Sequence, residues 1–230
     1  MDLQLAGRVA LVTGGSVGIG KATALELAKE GVDVAICART KETLEAAAQE
    51  IRQQTGQRII ALPTDTTVPE QVNAMVQTTV DTLGRLDILV NNAGRPGGQA
   101  TGPLSEVSDE DAMEDITFKF MTYLRSSRAA AEHMKHQGFG RIINIGGLAG
   151  RNVGTIAGAR NLAITHLTKN LSDELGQYGI TANVVHPGGT RTERTAGLVA
   201  EEAQRQGISA EEAEKRMYGS TAIRLSLIHI

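Results

Sequence analysis

Short runs of Val, Ile, Leu and Ala alternate along this chain with longer stretches whose apolar residues recur every three or four positions. That alternation constrains the fold more than any single motif. Parallel strands need a long crossover between them, and a helix is the crossover that buries its own face against the sheet. The pattern predicts strands over 8–13, 32–37, 58–62, 86–91, 141–145 and 181–186. Between them it predicts helices over 18–30, 41–55, 69–83, 109–137 and 155–177, several followed by the glycine common at helix ends. A charged, alanine-containing stretch over 192–218, broken at Gly207, predicts a helical flap in two pieces. The expected fold is α/β: one domain around a doubly wound parallel sheet, with the flap at 193–224 attached to a core at 1–192.

Composition supports this and removes other classes. Aromatic residues make up only 3% of the 230 residues, so Ala, Val, Ile and Leu must fill the core, as in helix-covered sheets. The 23 Lys and Arg against 26 Asp and Glu leave a net charge of −3, and Trp is absent. Such a surface offers no field to hold phosphate backbones, so nucleic acid is not an expected partner. No apolar run approaches the ~20 residues needed to cross a bilayer, and the N-terminus lacks a secretory layout. The single Cys37 cannot form an internal disulfide. A cytoplasmic protein without a membrane partner or a metal site is expected.

The first strand runs into Thr13-Gly14-Gly15-Ser16-Val17-Gly18-Ile19-Gly20, and a helix follows. Glycines there let backbone approach a pyrophosphate, whose charge faces free N–H groups and the helix dipole. A plain tight turn is the alternative reading. At the end of the second strand stand Ala38 and Arg39, with no carboxylate to bind ribose hydroxyls or repel a 2′-phosphate. Arg39 offers that phosphate a planar fork, which favours NADP(H) over NAD, although a solvated arginine is the bland alternative.

Taken with Asn91-Asn92-Ala93-Gly94 after the fourth strand and His186-Pro187-Gly188 after the sixth, the glycine turn resembles the short-chain dehydrogenase/reductase family. The likeness runs from about Leu3 to Thr192. It implies that Gly14, Ser16, Gly18, Ile19 and Gly20 hold the coenzyme phosphates and that Asp65 and Thr66 meet the adenine. It also implies that Asn92, Ala93 and Gly94 flank adenine and ribose, and that Pro187, Gly188, Thr190 and Thr192 wrap the nicotinamide. Loop chemistry is the alternative for each: Asp65 as a cap, Pro187-Gly188 as a turn.

In that family a Tyr protonates the substrate carbonyl, and a Lys one helical turn later lowers its pKa. A Ser after the fifth strand orients the carbonyl, and an Asn on the long preceding helix completes a relay. A phenol near pKa 10 serves at neutral pH only with such a cation beside it. This chain departs from the pattern: Gly146 and Gly147 stand where the Ser is expected, and no Tyr, Ser or Lys lies between Lys135 and Lys169. Registering the helix through Leu167-Thr168-Lys169 puts Ala157 at the Tyr position and Asn161 at the Lys position. Counting forward from Gly147 puts Arg160 and Ile164 there instead; the helix register is preferred, because loops absorb deletions. Lys119 falls at the Asn position.

Asn161 can keep the ribose hydrogen bonds and so bind the coenzyme, and with Arg160 it is the candidate catalytic residue. Arg160 can polarise a carbonyl or bind a carboxylate, yet it is a poor proton donor. Tyr123 lies on the face of Lys119 and is a candidate acid, with packing the favoured alternative. His166 is expected at the surface or an interface, and His186 in a structural hydrogen bond.

Relatives continue to a further helix and a seventh strand that this sequence does not show. Its last residues, 225–230, read either as a stub of a terminal strand or as the translation of a transposase-adaptor read-through, and the second reading makes them a non-native tail. The expected function is an NADP(H)-dependent oxidoreductase acting on a small carbonyl or alcohol held between Gly146-Gly147, the helix from Thr155 and the flap. The alternative is a catalytically silent NADP(H)-binding sensor or scaffold. The long helices pair across subunits in relatives, which implies a homo-dimer or homo-tetramer.

Overall fold

The computed structural model describes residues 3–94, 104–148, 156–188 and 190–218. Thr155 and the tail at 225–230 lie outside the described residues.

The predicted strands all form: β1 (Val9–Thr13), β2 (Asp33–Ala38), β3 (Ile59–Pro63), β4 (Ile88–Asn91), β5 (Gly140–Ile145) and β6 (Ile180–Val185). They make one sheet in the order β3-β2-β1-β4-β5-β6, every pair parallel. The chain winds outward from β1 to β3 and then returns to lay β4 beside β1. The carboxyl ends of β1 and β4 therefore diverge into the crevice where ligands of open α/β sheets bind.

Helices α1 (Gly18–Lys29), α2 (Lys41–Thr55), α3 (Pro69–Leu83), α4 (Asp109–Ile116), α5 (Thr122–Gln137) and α6 (Ala157–Leu175) supply the crossovers. In α2 the buried residues are Leu44, Ala47, Ala48 and Ile51, a spacing that puts one apolar stripe on the sheet. Alternate residues of β1 feed opposite faces. Ala10 and Val12 pack with α1 and α2, while Leu11 packs with α3, α5 and α6. On the α1 face, Ile88, Val90, Ile143, Ile145 and Val185 line an open apolar groove of about 390 Å³. The flap forms α7 (Thr195–Gln206) and α8 (Ala210–Tyr218), separated at Gly207 as predicted. Among the described residues no helix is long and apolar enough to cross a membrane.

One predicted element needs correction. The single helix expected over 109–137 is interrupted by a π-helical turn at Thr117–Met121, between α4 and α5. Thr122 ties the turn down, its backbone N–H donating to Lys119 O and its Oγ1 donating to Lys119 O at 2.9 Å and Phe118 O at 3.3 Å. The interruption coincides with Lys119, whose charged end is buried against β5 and α6.

Candidate active site

The phosphate end is a tightly stapled turn. Gly14 has φ of +67°, and a Cβ on Gly20 would fall onto the Gly14 carbonyl oxygen and within 2.5 Å of the Asn92 amide. Asn92 Nδ2 donates to Thr13 O at 3.0 Å and to Gly14 O at 3.1 Å. Thr13 Oγ1 in turn accepts from the backbone N–H groups of Asn92 at 2.9 Å and Ala93 at 3.0 Å. Asn92 and Ala93 thus hold the loop after β4 against the turn, and Ser16 and Ile19 sit half-buried where α1 begins.

The first amide of α1 already binds an anion. Gly18 N–H donates to Glu193 Oε2 at 2.9 Å, so a carboxylate oxygen from the flap sits at the positive end of the α1 dipole. Thr192 approaches the same spot, its Cγ2 lying 3.3 Å from where a Gly18 Cβ would be. Close backbone packing and an amide turned to a negative group fit a pyrophosphate. Glu193 has no special signature in the sequence; only the folded flap brings it here.

Arg39 follows β2 directly, is exposed, and holds its guanidinium 5.6 Å from the centre of the Phe118 ring. Asp65 accepts from Thr67 N at 2.9 Å and Thr67 Oγ1 at 2.7 Å, the geometry of a local cap, with Thr66 between them. Partial burial pushes this carboxyl up, but the Thr67 hydrogen bonds and nearby Arg39 hold it below the ordinary value. Across the crevice, Pro187 and Thr190 line the apolar groove, and Thr190 Oγ1 donates to Gly188 O at 3.2 Å.

At the far end the structure joins Lys119, Asn161, Gly94, Gly146 and Gly147. The Lys119 side chain passes beneath Gly94, its Cδ 3.5 Å from where a Cβ there would sit. Its Nζ donates to Gly146 O at 2.8 Å and to Asn161 Oδ1 at 3.1 Å, and the residue is only 7% exposed. Burial pushes this ammonium down first, and the Arg160 charge pushes it further. Asp115 opposes both, and the net value is about 7. Asn161 is therefore at the site, its amide nitrogen 2.9 Å from where a Gly147 Cβ would be.

Arg160 and Tyr123 are oriented elsewhere. Arg160 Nη1 meets Asp115 Oδ1 at 2.5 Å in a buried ion pair between α6 and α4. Tyr123 is 1% exposed and its hydroxyl donates to Ile145 O at 2.9 Å, while burial pushes its pKa well up. His186 Nδ1 lies 3.0 Å from Gly147 N and its Nε2 lies 3.1 Å from Thr165 Oγ1, a structural role. His166 is exposed on α6. Beneath the site, Asn91 Nδ2 donates to Ser127 Oγ at 3.0 Å and Asn144 Oδ1 at 2.8 Å, and Asn144 Nδ2 donates to Thr168 Oγ1 at 2.9 Å. These buried bonds fix β4, β5, α5 and α6 to one another.

Sequence reasoning placed Lys119 at the relay position without seeing what it does. The available signal was polarity on a core-facing stripe: Asp115, Lys119 and Tyr123 recur at four-residue intervals.

Residues 8–203 match the family model described as short chain dehydrogenase. The chain belongs to the short-chain dehydrogenase family, and is thus a Rossmann-fold oxidoreductase domain of the NAD(P)-binding type. The cyclohexanol dehydrogenase of Rhodococcus sp. (strain TK6) is 35% identical over 217 residues, covering 86% of this chain and 80% of that protein. Among solved structures, an actinorhodin polyketide ketoreductase with NADPH superposes with a TM-score of 0.88 and 33% identity, covering 99% of this chain and 87% of that one. An NAD⁺-bound xylitol dehydrogenase superposes with a TM-score of 0.86 and 27% identity, covering 96% and 87%.

Proposed function

We propose that this chain is an NADP(H)-dependent oxidoreductase that interconverts a small carbonyl compound and its alcohol. The observation that carries the coenzyme reading is the Gly18 amide, which already accommodates an anionic oxygen at the head of α1. Gly14, Ser16, Gly18, Ile19 and Gly20 would hold the pyrophosphate. Asp65, Thr66, Asn92, Ala93 and Gly94 would line the adenosine half. Asn161, Pro187, Gly188, Thr190 and Thr192 would face the nicotinamide half. When bound, the coenzyme supplies or accepts the hydride; the protein orients the reactants and handles the proton.

The NADP(H) preference rests on Arg39, at the head of the loop after β2, in a segment with no carboxylate. Its contact with Phe118 pre-orders the guanidinium, which lowers the entropy lost on gripping a phosphate. The lack of the family's Ser, Tyr and Lys stands as part of this reading, with Asn161 keeping hydrogen bonds that the Lys would make. The family resemblance implies pairing of the long helices with a second copy, so a homo-dimer or homo-tetramer is part of the same reading.

Calorimetry with NADPH and NADH tests the reading, together with NADPH oxidation against a panel of ketones and aldehydes. We expect NADPH to bind more tightly and Arg39→Asp to reduce its affinity by an order of magnitude or more, a phosphate contact being worth ~1.5–3 kcal/mol. No heat with either coenzyme overturns the coenzyme assignment. Binding without turnover on any carbonyl leaves the silent binder.

A further inference from the structure

We propose that Lys119 is the proton donor of this enzyme, delivering a proton from Nζ to the substrate oxygen during carbonyl reduction. The proposal rests on the oxidoreductase reading above.

Placement is the first support. The π-helical turn at Thr117–Met121 carries Lys119 inward, and such turns recur at functional sites. Nζ reaches the carboxyl ends of β4 and β5, where Gly94, Gly146 and Gly147 put no side chain around it. An ammonium has three N–H donors. Among the described residues two are spent, on Gly146 O and Asn161 Oδ1, so one remains for a reactant.

Elimination is the second support. The Tyr123 hydroxyl is tied to Ile145 O and sealed from the crevice. Arg160 is paired with Asp115 and holds its protons too firmly to release one at neutral pH. Both nitrogens of His186 face partners within the fold.

Chemistry is the third support. Groups from each packed element face Lys119: Asp115 on α4, Tyr123 on α5, Arg160 and Asn161 on α6, and the Gly146 carbonyl after β5 with His186 beyond it. Dehydration and the Arg160 charge outweigh Asp115 and hold the ammonium at about 7. A donor is most effective when its pKa lies near the working pH. In the step, the carbonyl carbon accepts the hydride that reduced nicotinamide supplies, and the π pair moves onto oxygen. That oxygen takes the proton from Nζ, leaving a neutral amine that regains its proton from water. Alcohol oxidation runs the same transfer backwards, with the amine as base.

The test joins a titration of the coenzyme-free protein to kinetics. In protein labelled with ¹³Cε-lysine, the resonance missing from the Lys119→Arg spectrum should titrate near pH 7; a midpoint near the ordinary 10.5 overturns the proposal. Lys119→Arg keeps the charge and donors but cannot give up a proton, and Lys119→Met removes both. We expect Lys119→Arg, which keeps donors for Asn161, to bind NADPH within about threefold of the parent, and either variant to lose about a hundredfold or more in turnover. Turnover retained in Lys119→Arg overturns the donor role while leaving the oxidoreductase reading intact. A parent that binds NADPH and reduces no carbonyl overturns both.

Discussion

Arg160 and Asp115 form an ion pair at 2.5 Å with 3% and 1% of their side chains exposed, joining α6 to α4 beside the Lys119 ammonium. Removing one partner of a buried pair leaves the other charge without compensation, at a cost of about 3–5 kcal/mol. Asp115→Asn should therefore lower the melting temperature strongly. It should also lower the Lys119 titration midpoint, because Asp115 is the group that raises it. Calorimetric unfolding and the lysine titration read the two effects separately, and a midpoint that rises would contradict this electrostatic account.

The buried ammonium makes stability depend on pH in a definite direction. Its pKa is about 7 in the fold and 10.5 in the unfolded chain, so between those values the unfolded state binds the extra proton. Stability contributed at this site rises with pH across that window, by up to about 1.4 kcal/mol per unit, and is flat below it. Urea unfolding of the parent and Lys119→Met at pH 6, 8 and 9.5 checks this. The parent should gain on the variant as pH rises; parallel curves would mean an ordinary lysine.

Glu193 gives a third expectation. Its carboxylate occupies the Gly18 amide at 2.9 Å, so it competes for the place proposed for the pyrophosphate. Glu193→Gln removes the charge and should tighten NADPH binding by roughly two- to tenfold, within the ~1.4 kcal/mol that a tenfold change represents. The side chain is exposed, so the melting temperature should move little. Unchanged or weaker binding by calorimetry would show that the carboxylate does not compete.

The sheet and its crossovers were legible because each strand is a continuous apolar run and each helix carries a stripe. α2 and α3 even begin and end where the pattern puts them. The glycine turn was legible for a similar reason: its backbone demands are local, as the +67° φ of Gly14 and the crowding at Gly20 demonstrate. The interruption at Thr117–Met121 was not, since it answers a tertiary demand. Lys119 meets Asn161 across 42 residues, and Arg160 meets Asp115 across 45. Residue type alone assigned Arg160 a free cation; the fold commits that charge to Asp115.

Gly146 provides a last expectation. A Cβ there would fall on His186 Nδ1 and lie 2.5 Å from Cε1, and the imidazole is anchored by Gly147 and Thr165. Gly146→Ala should cost about 1–3 kcal/mol, as overpacking generally does, and Gly146→Ala with His186→Gly should recover part of it. A single variant as stable as the parent in thermal unfolding would show that the ring yields freely.

The same crowding bears on how such a site accepts a serine. A serine at 146 collides with the imidazole, and one at 147 collides with the Asn161 amide that Lys119 holds in place. Either hydroxyl therefore requires its neighbouring side chain to shift. A hydroxyl at either position is thus coupled to the freedom of the His186 ring or the Asn161 amide to move aside.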